Sequence, residues 1–327
     1  PPEALGAAIA RVEALPKLNA VVIKNYEQAR ELARKQSALS SAERKKACET
    51  APLWGLPFVL KDLGVSMAGT VTSNGCGFFK DAVAQHDSTV VSRYKAAGLN
   101  IFGVTPNPWN TKHTTGGSSG GTAAAVAAGI LPVGHATDGG GSIRIPAAHC
   151  GLFGLKPSRG RVPAGPDSLD GAIGLSVGHV ISRSVRDSAL LLDVGAGPEF
   201  GSRVRPGSDV QGSYLKALNQ PPEKKLRIAV WRKTYFGIPV HPDCLAAVDK
   251  AAKACEAMGH IVEDAMPDLP VAEIFAGMGP GMSAGMLSGV EYREKQLGRA
   301  AREAEFEPLN WAALQADKKA SALELFR

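Results

Sequence analysis

Two glycine-rich segments that contain serine are the residues best suited to chemistry. Residues 116–121 read GGSSGG and residues 139–142 read GGGS. Glycine-rich segments of this kind have three common uses: they bind phosphate, they form flexible turns, or they present backbone N–H groups beside a nucleophile. Each use requires different neighbouring residues, so the surrounding sequence separates the three.

Phosphate binding and simple flexibility are both disfavoured. No lysine follows the glycines in a GxxxxGK[ST] pattern. The second cluster also lacks the GxGxxG spacing and the matching acidic residue of a dinucleotide site. A flexible loop would not usually precede residues 123–128, whose small side chains predict a helix in a packed centre. The nucleophile interpretation is therefore favoured.

Ser142 is the predicted nucleophile. The three glycines before it permit backbone conformations that residues with a Cβ cannot adopt. Their N–H groups can converge as an oxyanion hole, which stabilises the negative oxygen of a tetrahedral intermediate. Removing one such donor typically raises the activation barrier by about 3 kcal/mol. Residues 143–147 predict a helix start directly after the serine, and its dipole further favours negative charge.

A serine nucleophile needs a base, and the sequence offers two kinds. His135 is the histidine close to Ser142 in sequence, although no histidine accompanies a GxSxG motif and each is more readily explained as structural. Lys61 ends the apolar run 56–60, which predicts a strand buried on both faces. A buried lysine can act as a base when burial and neighbours lower its pKa. The residues alone leave both bases open.

The two serine clusters and their surroundings resemble the amidase signature family. The matching stretches are GGSSGG, DGGGSIRIPA, CGLFGLKPSRGR and, upstream, LPFVLKD. The resemblance runs from about residue 2 to about residue 306. Within the family, HATDGGGSIRIPA, NPWN and LKPSRGR look most like the bacterial hydrolases of cyclic amide dimers and related aryl and aliphatic amidases.

This resemblance implies a Ser–Ser–Lys triad that hydrolyses amides. Ser142 matches the nucleophile, Ser118 the bridging serine, which follows a cis peptide after Gly117, and Lys61 the base. Ser119 matches a supporting serine beside the triad. The implied oxyanion hole consists of the N–H groups of Gly139, Gly140, Gly141 and Ser142. The family chemistry needs neither a metal nor an organic cofactor, and no metal-ligand spacing such as HExxH occurs.

Three further interpretations stay open. Arg144 could bind a substrate carboxylate, but a structural ion pair is favoured. The chain could be the amidase subunit of a tRNA-dependent amidotransferase, whose nucleophile segment typically has glutamine after Ser-Ile-Arg. Ile145 at that place favours a stand-alone hydrolase. The chain could also be an inactive truncated homologue, although the presence of Lys61, Ser118 and Ser142 argues against this.

The elements that must position these residues alternate between strand and helix, which predicts an α/β fold. We expect three α/β/α layers around a large twisted, mixed and mostly parallel sheet. The chain is interpreted as one domain over residues 1–327 with its core at 50–195, without the C-terminal part of the family fold. Residues 37–52 are interpreted as a loop. The remaining predictions are strands at 18–23, 56–60, 99–104, 130–133, 226–231 and 260–262, and helices at 2–15, 26–36, 86–97, 123–128, 242–258 and along most of 271–327. A capping-box pattern at 184–187 precedes the apolar run 189–192.

Composition points to a small-molecule enzyme. The 327 residues carry a net charge of +6 without aromatic residues interleaved among basic ones, so a nucleic-acid partner is not expected. The sequence starts without a charged-then-apolar leader and has no run of 18 apolar residues, which predicts no membrane association. Five cysteines without a paired framework predict a reducing compartment, hence the cytoplasm. A homodimer is compatible with the sequence, and the expected ligand is a small amide.

Overall fold

Helices and strands alternate along the chain, which confirms the predicted α/β class. This computed structural model describes residues 1–105, 114–167, 174–202, 204, 212–220, 222 and 224–319. The NPWN motif at 107–110 lies outside these residues. The described helices are α1 (Pro2–Ala14), α2 (Tyr26–Ala38), α3 (Ser41–Thr50), α4 (Thr89–Ala96), α5 (Gly120–Ala127), α6 (Arg144–His149), α7 (Val185–Gly195), α8 (Tyr214–Ala217), α9 (Pro242–Ala257), α10 (Val271–Leu297) and α11 (Pro308–Asp317). The described strands are β1 (Ile23–Lys24), β2 (Pro57–Lys61), β3 (Asn100–Thr105), β4 (Val133–Asp138), β5 (Phe153–Gly154), β6 (Val177–Ser182), β7 (Arg227–Val230) and β8 (Ile261–Asp264).

The described strands form mixed sheets. Strand β3 lies between β1, to which it is antiparallel, and β2, to which it is parallel. Strand β6 lies between β4 and β5 and is antiparallel to both. Strands β7 and β8 form a separate parallel pair. The described strands therefore confirm a mixed arrangement but not one large, mostly parallel sheet.

The chain divides into two compact units. The first comprises residues 1–217 and 281–320, and contains every residue predicted for the active site. The second comprises residues 218–280 and 321–327, and contains β7, α9 and β8. The interpretation of residues 1–327 as one domain with its core at 50–195 stays a prediction.

Strand β2 is buried along its whole length, as its apolar sequence predicts. Phe58, Val59 and Leu60 are at most 3% exposed. The Phe58 ring packs edge-on against Tyr94 of α4, with 5.1 Å between the ring centroids. Fully burying a side chain of this size contributes about 1.5–3 kcal/mol. This packing fixes the strand that ends at Lys61.

Strand β4 and helix α5 approach β2 closely. A Cβ built on Gly134 would lie 2.8 Å from Thr122 Cγ2 and 2.9 Å from Val59 Cγ2, so only glycine fits there. The alanines of α5 at 123–125 are completely buried, as expected for a small-residue helix in a packed centre. Strand β4 begins at Val133, the residue at which the predicted strand 130–133 ends. The prediction is displaced because the buried residues of β4 are mostly small or polar and do not form an apolar run.

The predicted loop at 37–52 is wrong, because residues Ser41–Thr50 form helix α3. Ser40 Oγ accepts from the Glu43 N–H at 3.3 Å, and Glu43 Oε2 accepts from the Ser40 N–H at 2.8 Å. This capping box stabilises the helix locally. No residue of α3 is buried, so the helix has no apolar periodicity that a sequence analysis could detect.

The strand predicted at 18–23 is also mostly wrong. Residues Pro16–Leu18 form a turn of 3₁₀-helix, and only Ile23–Lys24 pair with β3. The apolar Ala20 and Val21 are buried in the core next to α1 and α2 instead of forming a ladder.

Within the described part of the chain, no helix is both long and apolar enough to cross a bilayer.

Candidate active site

Lys61 lies at the end of β2 with its ammonium in the protein interior. Its side chain is buried, with the whole residue only 5% exposed. Nζ donates to Ser118 Oγ at 2.6 Å and to Thr137 Oγ1 at 2.7 Å. Burial lowers the pKa of Lys61 to about 8, against a partial opposing effect of the Asp138 carboxylate. Lys61 can therefore lose its proton near neutral pH.

Ser118 follows a cis peptide bond, as the family resemblance implies. The Gly117–Ser118 peptide is cis, which confirms that prediction. Both residues are exposed, so the Ser118 hydroxyl joins the buried Lys61 ammonium to the protein surface. Gly116 has a φ of +74°, and a Cβ at this position would lie 2.6 Å from Ile145 Cγ2. The first glycine-rich segment thus packs against the helix that follows the second.

Ser119 fastens the first segment to β4. Its Oγ donates to the Thr137 carbonyl at 3.1 Å and accepts from the Thr137 N–H at 3.2 Å. Its backbone N–H donates to the Ser142 carbonyl at 3.3 Å, which joins the two serine segments directly. Ser119 therefore holds the first serine segment against β4 and against the Ser142 segment.

Asp138 holds the segment that carries Ser142. Its carboxylate is completely buried at the end of β4. Oδ1 accepts from the Gly141 N–H at 2.7 Å, and Oδ2 accepts from the Ile143 N–H at 3.2 Å. Gly141 has a φ of +129°, and a Cβ there would lie 2.5 Å from Ile145 Cδ1. These contacts fold the chain tightly around Asp138 and leave Ser142 half-buried at the apex.

The bond to Asp138 corrects the predicted oxyanion hole. The sequence analysis included Gly141 among the donors, but its N–H is engaged by the carboxylate. Among the described residues, the N–H groups of Gly139, Gly140 and Ser142 have no acceptor. A Cβ on Gly140 would contact nothing within 4 Å, so the space beside it is open. Three of the four predicted donors are therefore free to bind an oxyanion.

Arg144 forms an ion pair with Asp138, which confirms the structural interpretation of this arginine. Its Nε lies 2.9 Å from Oδ2 and its second guanidinium nitrogen lies 3.0 Å from Oδ1. Burial alone would raise the pKa of Asp138, but the Arg144 guanidinium and the N–H groups of Gly141 and Ile143 lower it to about 2. Asp138 is thus ionised at every pH near neutrality.

His135 is not suited to the role of base. It is completely buried in β4, and burial, together with the Lys61 and His179 charges, lowers its pKa to about 3. Its Nδ1 accepts from the Lys61 backbone N–H at 3.4 Å, and its Nε2 has no partner among the described residues. A group with this pKa is a weak proton acceptor at neutral pH. The two pKa values thus favour Lys61 over His135 as the base.

Thr137 and Asp138 are the site residues that the sequence analysis missed. Thr137 accepts from Lys61 Nζ, and Asp138 orders the Ser142 segment. Asp138 could have been noticed, because an acidic residue directly before three glycines can accept from the freed N–H groups. Thr137 gave no such signal, since its partner is 76 residues away in sequence.

The site consists of hydroxyl, ammonium and backbone groups. Among the described residues, no group of three or more His, Cys, Asp and Glu side chains is arranged to hold a metal ion. Asp138, whose charge acts on Lys61, is already bound by Arg144 and by the N–H groups of Gly141 and Ile143. A serine hydroxyl, a partly deprotonated lysine and free N–H groups together suit acyl transfer.

Comparison with known proteins agrees with this chemistry. The sequence model described as Amidase matches residues 3–105 and 99–275. The 6-aminohexanoate-cyclic-dimer hydrolase of Pseudomonas sp. (strain NK87) is 38% identical over 291 residues, which are 81% of this chain and 56% of that protein.

Solved structures also resemble this fold. A 6-aminohexanoate cyclic dimer hydrolase complexed with substrate superposes with a TM-score of 0.85 at 31% identity, over 99% of this chain and 70% of that one. A bacterial aryl acylamidase of the amidase signature family gives a TM-score of 0.87 at 28% identity, over 100% of this chain and 71% of that one. The chain spans little more than half the length of the Pseudomonas relative.

Proposed function

Because the chain belongs to the amidase family, we propose that it hydrolyses a carboxylic amide, at a C–N bond other than a peptide bond, through an acyl-enzyme on Ser142. The observation that carries the proposal is the 2.6 Å hydrogen bond between Lys61 Nζ and Ser118 Oγ. It connects a buried lysine with a lowered pKa to the serine-rich surface above it. In this proposal Ser118 passes protons between Ser142 and Lys61. Among the described residues only the Lys61 side of this relay is a hydrogen bond, since none joins the Ser118 and Ser142 hydroxyls.

The first half of the reaction forms the acyl-enzyme. Neutral Lys61 accepts the Ser118 proton while Ser118 accepts the Ser142 proton, and Ser142 Oγ attacks the amide carbon. The carbonyl π electrons move to oxygen. When the tetrahedral intermediate collapses, the C–N bond breaks and the proton returns through Ser118 to the leaving nitrogen. The products of this half are a free amine and an ester on Ser142.

The second half releases the acid by the same proton path. Water attacks the ester carbon and gives its proton through Ser118 to Lys61. Collapse of this second intermediate breaks the bond to Ser142 Oγ, which takes the proton back. Each atom of the amide and the water is accounted for in one carboxylic acid and one amine.

The oxyanion of both intermediates would bind to the free backbone N–H groups of Gly139, Gly140 and Ser142. Such donors contribute about 3 kcal/mol each when they are preorganised. Asp138 contributes indirectly, because its bonds to Gly141 and Ile143 shape the segment that holds the donors.

The lowered pKa of Lys61 is what makes it a usable base. With a pKa of about 8, roughly one molecule in ten has a neutral lysine at pH 7. With the ordinary value of 10.5, only about one in 3,000 would be neutral. Burial therefore increases the fraction of competent enzyme by about 300-fold at this pH.

Two classes of substrate are the first to test. The relative and the solved structures reported above are named for a cyclic amide dimer and for aryl acylamides. We propose that a small amide of one of these classes is the substrate, without a cofactor and without nucleic acid as a partner. The five free cysteines are consistent with the reducing conditions of the cytoplasm, which is the location that we propose.

The amidotransferase alternative is not favoured. Ile145 stands where that subunit typically has glutamine, and the proteins reported above are hydrolases and an acylamidase by name. The inactive-homologue alternative predicts that no acyl-enzyme forms, so the labelling experiment below tests it directly.

A fluorophosphonate probe tests the nucleophile. We expect one adduct per chain, located at Ser142 by peptide mass spectrometry, and complete loss of labelling and amide hydrolysis in Ser142→Ala. Ser92→Ala is the matched control, because Ser92 is an exposed helical serine outside the site and its loss should change neither readout. Labelling at another residue, or turnover that survives in Ser142→Ala, would refute the assignment.

A further inference from the structure

Ile145 lies between the two serine-bearing segments, in the first turn of α6. A Cβ built on Gly116 would lie 2.6 Å from Ile145 Cγ2, and one built on Gly141 would lie 2.5 Å from its Cδ1. The Ile145 backbone N–H also donates to the Gly141 carbonyl at 2.7 Å. The Ile145 side chain therefore packs on a glycine shortly before Ser118 and on the glycine directly before Ser142.

The rest of the Ile145 side chain is open to solvent, since the residue is 43% exposed. The space in front of both serine segments is open as well. Apart from its chain neighbours, a Cβ built on Gly117 or on Gly140 would meet no described atom within 4 Å. These two glycines directly adjoin the glycines that Ile145 contacts. Ile145 thus presents apolar surface beside the space through which a substrate approaches Ser142.

The contact with Gly141 limits the distance between Ile145 and the nucleophile. A bond from Cα to Cβ is about 1.5 Å long and successive Cα atoms are about 3.8 Å apart, so Ile145 Cδ1 lies within about 8 Å of Ser142 Cα. A four-carbon acyl group on Ser142 Oγ can span this distance. A single exposed isoleucine is ordinary on a protein surface. This one differs because an acyl group on the nucleophile can reach it.

We propose, resting on the proposed amidase function, that Ile145 is a specificity-determining residue. It selects amides whose acyl chain is apolar and rejects amides whose acyl chain carries a carboxylate at the same place. An apolar chain loses its contact with water when it packs on Ile145, which favours binding. A carboxylate would lose water against a side chain that offers no hydrogen bond, which is costly.

The cation next to Ile145 in sequence does not reverse this preference. The Arg144 guanidinium is already paired with both oxygens of Asp138, at 2.9 and 3.0 Å. A substrate carboxylate would have to compete with Asp138 for this guanidinium, and Asp138 is itself fixed by the N–H groups of Gly141 and Ile143. The apolar surface of Ile145 therefore decides which acyl chains are favoured here.

The 4-nitroanilides of butyric and succinic acid test this preference, because their acyl chains have the same length and differ only in a terminal methyl or carboxylate. The release of 4-nitroaniline gives kcat/KM for each. We expect the parent protein to favour the butyryl over the succinyl substrate by at least about tenfold. The acetyl anilide is the reference, because its acyl chain is too short to reach Ile145. Ile145→Ala should lower the ratio of butyryl to acetyl kcat/KM by about fivefold or more.

Ile145→Met and Ile145→Lys separate charge from packing. Both have an unbranched stem that can lie on the two glycines, and lysine adds a cation at the exposed end. We expect Ile145→Met to keep the butyryl preference. Ile145→Lys should raise the ratio of succinyl to butyryl kcat/KM by at least about tenfold relative to Ile145→Met. A general loss of packing would lower both substrates alike and leave this ratio unchanged.

Val185→Lys is the matched control, because Val185 is also β-branched and is 47% exposed. It follows Ser182 of β6, which pairs with Val133 at the opposite end of β4 from Asp138. Its ratio of succinyl to butyryl kcat/KM should equal that of the parent protein.

Fluorophosphonate labelling at Ser142 distinguishes failure of this inference from failure of the proposed function. A parent protein that is not labelled there would overturn both. A labelled parent without a butyryl preference, or an Ile145→Lys ratio equal to that of Ile145→Met, would overturn the role of Ile145 alone. If Ile145→Lys does not fold, Ile145→Ala decides, and an unchanged ratio of butyryl to acetyl kcat/KM would overturn the inference.

Discussion

The hydrogen bond from Lys61 Nζ to Thr137 Oγ1 predicts how a threonine variant will depend on pH. Thr137 is 8% exposed, and its hydroxyl accepts from the lysine at 2.7 Å. Valine has nearly the same shape but no oxygen. Thr137→Val therefore removes one partner of the ammonium and leaves its charge buried and less satisfied. The loss falls mainly on the protonated form of Lys61, so its pKa should fall further.

The size of this shift follows from the strength of the bond. A hydrogen bond to a charged group contributes about 1.5–3 kcal/mol, and one pKa unit corresponds to about 1.4 kcal/mol. The neutral amine also interacts with the threonine hydroxyl, so only part of the bond energy separates the two protonation states. We expect the Lys61 pKa to fall by about one unit from its value of about 8. The neutral fraction at pH 7 then rises from roughly one tenth to roughly one half.

The profile of kcat/KM against pH measures this shift, because it reports the pKa of the free enzyme. The parent enzyme should gain activity about tenfold per pH unit below pH 8 and reach a plateau above it. This rising part of the profile is its acid limb. When each profile is scaled to its own plateau, the acid limb of Thr137→Val should lie about one pH unit lower than that of the parent enzyme. Thr137→Ser restores the hydroxyl and should return the limb to its parental position. A limb that does not move, or that moves to higher pH, would refute the reasoning.

Three other variants test separate parts of the structure. Lys61→Met should abolish hydrolysis yet raise stability at pH 7 by up to about 3 kcal/mol, because the buried ammonium, with a folded pKa of about 8 and an unfolded value near 10.5, destabilises the fold below pH 8. This difference in urea unfolding should shrink as the pH rises from 8 to above 10.5. Gly141→Ala should destabilise by about 1–3 kcal/mol, because φ is +129° there, whereas Gly140→Ala, which meets nothing, should not. Ser40→Ala removes the cap of α3 and should cost about 1 kcal/mol in thermal unfolding without changing kcat/KM.

Much of the candidate site could be predicted from the sequence, because the residues proposed for it lie in local motifs. The glycine runs before Ser142 and around Ser118 mark turns that need residues without a Cβ. The apolar run before Lys61 marks a buried strand, and β2 does end at this lysine. The family resemblance implied which bond is cis, Gly117–Ser118. The glycines on both sides of it are compatible with such a bond.

The parts that the sequence did not reveal depend on contacts between distant or unpatterned residues. The sequence places strand β4 too early because its buried residues are mostly small or polar and do not form an apolar run. Ser119 and Thr122 donate to carbonyls of this strand, and such contacts leave no pattern in the sequence. Helix α3 was missed because a capping box stabilises it without a buried face. The engagement of Gly141 by Asp138 could not be read from spacing, since any of the three glycine N–H groups could have turned towards the carboxylate.

The pairing of Asp138 with Arg144 affects the pKa of Lys61. The Asp138 carboxylate orders the Ser142 segment, but its charge raises the pKa of Lys61 and so opposes the neutral form that the mechanism uses. The Arg144 guanidinium, bound to both oxygens, offsets that charge without disturbing the N–H bonds. Arg144→Gln should therefore leave Asp138 ionised but uncompensated at neutral pH, and the limb of kcat/KM should move to higher pH. This shift is opposite in sign to that of Thr137→Val, so a general loss of packing cannot produce both. If Arg144→Gln lowers the plateau but leaves the limb near pH 8, Arg144 acts on the shape of the segment alone and its electrostatic role is excluded.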